Sequence, residues 1–253
     1  MSGAAPHIVV DNPTMKYGDF LIQKDISFTV NRGDVFVVMG GSGCGKSTLL
    51  KHLVGLVTPA AGRVLYNGKS FWEASLAERD VLLRRVGILY QKGALWTSMT
   101  LAENVAMPLE QYTSYTRAEI AEIARYKLAL VGLSGFEDYY PSEISGGMQK
   151  RAGLARAMAL DPEVLFFDEP SAGLDPISSK LLDDLILELN RGLGATIVVV
   201  THELPSIFAI GSNSVFLDAD SKTMIASGDP RELLQTSKDP RVIKFLTRGE
   251  RDA

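Results

Sequence analysis

Cysteine and histidine are scarce in this sequence. The single cysteine, Cys44, allows no internal disulfide, and three histidines beside it give no zinc-ligand spacing. A reducing compartment, the cytoplasm, is therefore expected. An excess of one charge is also missing: 26 basic and 30 acidic residues leave a net charge of −4 with the signs mixed along the chain. That excludes a broad phosphate-backbone-binding surface, and with it nucleic acid as the main partner. Long hydrophobic runs are absent too. Residues 35–39 and 197–200 are apolar but strand-length, far short of the ~18 to 20 residues of a membrane-spanning helix. The start, MSGAAPHIVV, has neither the basic segment nor the apolar stretch of a signal peptide, so export by that route is not expected. Internal repeats and low-complexity linkers are lacking as well.

What is present suits one α/β unit: 253 residues are enough to bury roughly three quarters of the unfolded chain's surface without disulfide or structural metal. The first seventy residues read as strands broken by turns such as Asn31-Arg32-Gly33-Asp34 and Asn67-Gly68. Three later runs, 35–39, 164–167 and 195–200, are continuously apolar, the pattern of strands buried on both faces of a mostly parallel sheet. Between the first and second run the patterning is helical. Ser75 with Glu78 and Thr116 with Glu119 have capping-box spacing, and Ile120, Ile123, Ala124, Leu128 and Val131 recur on one helical face. Asp175-Pro176 opens another helix, whose apolar face is expected to be Leu181, Leu182, Leu185, Ile186 and Leu189. The expected organisation is a single domain over residues 1–247. Residues 1–91 and 161–247 form its core with a β subdomain, residues 92–160 an inserted helical subdomain, and 248–253 a disordered tail.

The apolar run 35–39 leads into Gly40-Gly41-Ser42-Gly43-Cys44-Gly45-Lys46-Ser47-Thr48 and then a helical pattern. This is G-x-x-x-x-G-K-[ST] in its strand-loop-helix setting. Glycines let consecutive backbone N–H groups converge on phosphate oxygens, and the helix N-terminus adds positive potential. Lys46 is placed for the β and γ phosphates and Ser47 for Mg²⁺. The run 164–167 ends in Asp168-Glu169. An aspartate there completes a magnesium shell in P-loop NTPases, and a glutamate after it can orient or deprotonate the attacking water. These motifs imply a P-loop NTPase and leave kinase, helicase and transport motor open.

The segment Ile144-Ser145-Gly146-Gly147-Met148-Gln149 narrows the choice, because it resembles the Leu-Ser-Gly-Gly-Gln signature of the ATP-binding-cassette (ABC) family. The other motifs of that family follow in order, and the resemblance covers about residues 8–230. It implies an ABC-type P-loop fold with a mostly parallel core sheet, an N-terminal antiparallel β subdomain and an inserted helical subdomain. It also implies roles: Tyr17 stacks on adenine, Gln91 is the Q-loop glutamine that reaches the metal, Ser171 to Asp175 form the D-loop, and His202 is the switch histidine. Ser145, Gly146, Gly147 and Asp175 would contact nucleotide. Glu169, His202, Lys46 and Gln91 would carry hydrolysis, with Ser47, Gln91 and Asp168 around Mg²⁺ and ATP on the phosphate loop.

Two positions depart from the signature. Ile144 conserves leucine's volume, whereas Met148 replaces a hydrogen-bonding amide with a thioether, a weak acceptor. Met148 is itself part of a narrower likeness. With residues 90–109 and 144–177, the chain is similar to the ATPases of bacterial lipid-asymmetry-maintenance and toluene-tolerance transporters. That likeness implies a head-to-tail homodimer, an integral membrane permease, an MCE-type lipid-binding subunit and a place on the cytoplasmic face of the bacterial inner membrane. The cargo would be lipid, phospholipid in particular, moved between inner and outer membranes. An amino-acid or ion importer ATPase and a soluble non-transport ATPase remain as alternatives.

Overall fold

Successive side chains of a strand face opposite sides of its sheet, and the continuous apolar runs use both sides. The computed structural model describes residues 5–249. Its first part comprises β1 (Pro6–Tyr17), β2 (Phe20–Gln23), β3 (Ser27–Asn31), β4 (Val35–Gly40), α1 (Lys46–Leu53), β5 (Ala61–Tyr66) and β6 (Lys69–Ser70). Next come α2 (Leu76–Leu83), β7 (Val86–Leu89), α3 (Leu101–Tyr112), α4 (Arg117–Leu130) and α5 (Gly146–Ala157). The chain continues with β8 (Val164–Asp168), α6 (Pro176–Leu193), β9 (Thr196–Val200) and α7 (Leu204–Ile210). It closes with β10 (Asn213–Asp218), β11 (Thr223–Ser227), α8 (Pro230–Thr236) and α9 (Pro240–Leu246).

The main sheet has the order β11-β10-β4-β9-β8-β7, parallel except for the edge strand β11. A second, antiparallel sheet joins β2, β1, β5 and β6, with β3 also pairing to β1. In the main sheet Phe36, Val38, Phe166, Val198 and Val200 pack with α1 and the antiparallel sheet. On the other face Leu165, Phe167, Ile197 and Val199 pack with α3 to α6, while Val37 and Met39 meet the C-terminal elements. Phe166 and Phe167 are fully buried on opposite faces, each worth about 1.5–3 kcal/mol relative to exposure. Phe28 stacks on Phe36 at 4.9 Å and ties the two sheets together.

Capping boxes close the N-termini of α2 at Ser75 and α4 at Thr116, and α3 has one at Thr100 with Glu103. Asp175 caps α6, with Pro176 at its first position. The expected face of α6 needs one correction. Leu182, Leu185, Ile186 and Leu189 are buried, but Leu181 is 55% exposed. The buried four have i, i+3, i+4, i+7 spacing, and Leu181 lies one residue's rotation off that stripe. The expected tail also changes at its start. Arg248 N–H donates to Phe245 O at 3.3 Å and Gly249 N–H to Lys244 O at 2.8 Å, so both residues close α9. Residues 250–253 of that expected tail lie outside the described residues.

Candidate active site

Because β4, β8 and β9 are parallel neighbours, their C-terminal ends put three loops along one edge. Register pairs Val38 with Val200 and Val200 with Asp168. There a cavity of about 390 Å³ opens. Ser42, Gly43, Gly45, Lys46, Ser47 and Thr48 form one side, Glu169 and His202 another, and Ile22 reaches in from the antiparallel sheet. Gly40 starts the loop at φ 147, and a Cβ there would come within 2.3 Å of Leu217 O, so only glycine fits. The Lys46 ammonium donates to Gly40 O at 2.9 Å and Gly41 O at 3.0 Å, which holds it against the loop. Gly41 and Ser42 are exposed, while the Cys44 side chain is buried beneath the loop, where desolvation pushes its thiol pKa up.

The loop has an anchor that sequence reasoning missed. Gln23 is fully buried, and its Nε2 donates to Cys44 O at 2.6 Å and Asp218 O at 2.8 Å. In a trans peptide N–H points opposite C=O. Holding the Cys44 carbonyl toward β2 therefore fixes the plane of the peptide that leads into Gly45, a residue lining the cavity. In sequence nothing marks it: Gln23 is a polar residue at the end of a four-residue strand.

Ser47 Oγ donates to Asp168 Oδ1 at 3.2 Å. Burial is the main cause that pushes the Asp168 pKa up, with the neighbouring Glu169 charge adding to it and the Ser47 hydrogen bond opposing. A hydroxyl and a carboxylate are hard oxygen donors of the kind Mg²⁺ takes. Among the described residues no group of three or more His, Cys, Asp or Glu could hold a metal. The donor set thus fits an ion completed by phosphate and water rather than a protein cage. A cation beside Asp168 would also reverse its raised pKa.

Glu169 has φ 47, a left-handed backbone uncommon outside glycine. His202 Nδ1–H donates to Glu169 Oε1 at 2.8 Å, and Glu169 Oε2 is buried with no hydrogen-bond partner among the described residues. A carboxylate with one oxygen oriented and the other free can accept a proton from a water beside the phosphate loop.

The remaining sequence-selected residues fall elsewhere. Gln91 and Gly146 line a second groove of about 300 Å³ with Lys150, Ala172 and Gly173. Ser145 caps α5, its Oγ accepting from Met148 N–H at 3.3 Å. Gly147 packs against Ser178, and the Asp175 carboxylate accepts from Ile177 and Ser178 N–H groups, both at 3.0 Å. Tyr17 stands at the end of β1, half exposed and outside the lining of the phosphate-loop cavity. Met148 packs against the core, a place that suits a thioether. Lys150 and Arg156 of α5, also missed, donate to loop carbonyls at Pro170 and Ala172 and at Gly93 and Ala94.

Comparison with known proteins identifies the family. Residues 23–172 match the protein family described as "ABC transporter". The "Probable ribonucleotide transport ATP-binding protein mkl" of Mycobacterium tuberculosis H37Rv is 42% identical over 239 residues, 94% of this chain. The chain spans 66% of that relative's length. The "Intermembrane phospholipid transport system ATP-binding protein MlaF" of Haemophilus influenzae is 42% identical over 245 residues, 97% of this chain and 91% of its own. Among solved structures, cbiO1 from Clostridium perfringens, part of the ABC transporter complex cbiONQ, superposes with a TM-score of 0.84 at 27% identity over 96% of this chain and 97% of its own. The dimeric post-hydrolysis state of the ATP-binding cassette MJ0796, bound to ADP and Pi, superposes at 0.79 with 27% identity over 88% of this chain and 98% of its own.

Proposed function

The chain belongs to the ABC transporter family, and from that premise we propose that it is the ATP-hydrolysing motor subunit of a bacterial transporter that moves phospholipid between inner and outer membranes. The observation that carries the motor reading is the division of the site. The phosphate loop, Glu169 and His202 share one cavity, with Asp168 hydrogen-bonded to Ser47 at its side, while Gly146 of the signature lines another groove. A complete site therefore needs a second chain, and a head-to-tail homodimer supplies it. A dimeric ABC cassette bound to ADP and Pi supports this reading.

In that site Lys46 leaves the Gly40 and Gly41 carbonyls for the phosphate oxygens of ATP, and loop N–H groups hold the rest. Mg²⁺, held by Ser47 and Asp168 and reached by Gln91, would neutralise charge developing on the phosphates. Glu169 takes a proton from the attacking water, and His202 orients that carboxylate. Tyr17 meets the adenine, and the partner's signature offers a Ser145 hydroxyl and a helix N-terminus to the γ-phosphate. Gln91, beside the signature in its own chain, would reach the metal and relay phosphate state to the permease contact. The helical segment 92–160 serves as the subdomain that carries the signature and meets the permease.

The cargo reading rests on the printed function of the MlaF relatives. It brings a membrane permease, an MCE-type lipid-binding subunit and a peripheral place on the cytoplasmic face of the inner membrane. No helix among the described residues is long and apolar enough to cross a membrane, as suits a subunit held by a permease. The deciding experiment purifies the chain with its permease from native membranes and identifies the bound ligand by mass spectrometry. Phospholipid supports the proposal. A bound amino acid or ion, or the lack of any co-purifying permease, refutes it.

A further inference from the structure

Lys150 lies one turn into the signature helix α5, yet only 6% of it is exposed. Its Nζ meets three carbonyl oxygens: Pro170 O at 2.6 Å, Ala172 O at 2.8 Å and Glu169 O at 3.3 Å. An ammonium has three N–H donors, so these acceptors satisfy it completely, as a buried cation requires. Burial pulls the Lys150 pKa down, and the Glu169 charge opposes that.

All three carbonyls belong to the turn leaving β8, and that turn is strained. The left-handed backbone of Glu169 costs about 1–3 kcal/mol and persists only where its surroundings fix it. From the sheet side, Glu169 N–H donates to Val200 O at 2.8 Å. From the helix side, Lys150 grips Glu169 O. The backbone under the catalytic carboxylate is thus clamped between β9 and the signature helix.

We propose that Lys150 is a positioning residue for hydrolysis: it fixes the Glu169–Ala172 turn to α5, so that the carboxylate acting on a chain's own nucleotide and the signature serving its partner's nucleotide move as one body. This rests on the head-to-tail reading above. The other end of α5 is held in a related way, since Arg156 donates to Ala94 O at 2.6 Å and Gly93 O at 3.1 Å. Gly153 lies so close to the same loop that a Cβ would be 2.9 Å from Gly93 O. Loss of Lys150 therefore frees the Glu169 turn while the Gln91 loop stays attached.

The test uses the full chain in complex with its permease and measures kcat and KM for Mg·ATP. Lys150→Met keeps the aliphatic stem and removes the donors; Lys150→Arg keeps the cation. The Met variant should lose about 10- to 100-fold in kcat, the scale of a misplaced catalytic group, with KM within about threefold because Lys150 touches no part of the phosphate loop. Lys150→Arg should recover most of that loss. If Lys150→Met fails to fold, Lys150→Gln, with a shorter stem and two N–H donors, is held to the same kcat-against-KM criterion. A kcat within twofold of wild type, or a loss that disappears once activity is normalised to nucleotide-occupied sites, overturns the proposal. Lys46→Ala run alongside separates the two levels. Normal hydrolysis in that variant sinks the ATPase reading itself, whereas a dead Lys46→Ala beside a normal Lys150→Met sinks only the role of Lys150.

Discussion

Asp183 on α6 is a buried carboxylate outside the nucleotide site, and replacing it with asparagine should stabilise the protein in a pH-dependent way. The residue is 6% exposed; its Oδ2 accepts from Ser206 Oγ at 2.8 Å, and Oδ1 has no partner among the described residues. Burial raises its pKa from 3.8 to about 6; the Asp184 charge also raises it, while the Ser206 hydrogen bond and Lys180 pull it down. Between these two values the folded state keeps a proton that the unfolded chain has lost. Stability from this group therefore falls as pH rises from 3.8, and the whole penalty is present above about pH 7. From the two pKa values the penalty is about 1.5 kcal/mol at pH 5 and about 3 kcal/mol at pH 7.5. Asparagine keeps the acceptor for Ser206 and cannot ionise, but its amide N–H₂ inherits the unpartnered position at a cost of about 1–2 kcal/mol. Asp183→Asn should thus gain about 1–2 kcal/mol at pH 7.5, with little or no gain at pH 5. Urea unfolding of both proteins across that range is the assay, and the common titrations of His7 and His52 cancel in the difference. Parallel stability profiles for the two proteins would mean that Asp183 is not held protonated by burial, and the reasoning would fail.

Glu169→Gln should bind Mg·ATP normally and lose about 10²- to 10⁴-fold in hydrolysis, the range for removal of a general base; turnover at the wild-type rate would refute the role. Gln23→Leu removes the hydrogen bond that orients the Cys44 carbonyl, together with the one to Asp218 O, and should weaken Mg·ATP binding about tenfold, or 1.4 kcal/mol, with kcat within about threefold. An unchanged Kd in nucleotide titration would show that the loop holds its shape without Gln23. Met148→Gln should keep ATPase activity within about threefold, or 0.7 kcal/mol in the barrier, because the proposed dimer gives the phosphate-facing groups to Ser145, Gly146 and Gly147. Its melting temperature should fall by a few degrees, since an amide replaces a thioether packed on the core; a loss of activity at full stability would show that the thioether has a contact of its own.

The phosphate loop, Asp168-Glu169 and His202 were legible because each follows an apolar run long enough to be read locally as a buried strand. Their convergence needs only that β4, β9 and β8 be adjacent, which the parallel register provides. Other features depend on partners far away in the chain. Gln23 bonds carbonyls 21 and 195 residues on, and Lys150 carbonyls 19 to 22 residues on. In sequence each is a polar residue within an otherwise ordinary pattern, and no spacing rule links it to its partners. Strand β10 escaped notice because Val215, Phe216 and Leu217 form a run too short to separate from a loop, although its pairing with β4 buries all three. Leu181 shows the converse error: composition favoured burial, and helical phase decided otherwise.

The two anchors missed in the sequence approach the nucleotide groups from opposite sides, and this separates what each can do. Gln23 reaches the phosphate loop from the antiparallel sheet and touches nothing that bears the Glu169 carboxylate. Lys150 reaches the Glu169 turn from the helical side and touches nothing that holds phosphate. Between them stands a sheet whose central strands are buried on both faces, which resists any shift in the distance from Ser47 to Asp168. Loosening one anchor should therefore leave the other group in place. Binding responds to the β subdomain and turnover to the signature helix. A double variant, Gln23→Leu with Lys150→Met, should then show the Kd change of the first and the kcat change of the second, combined without coupling beyond about 0.5 kcal/mol.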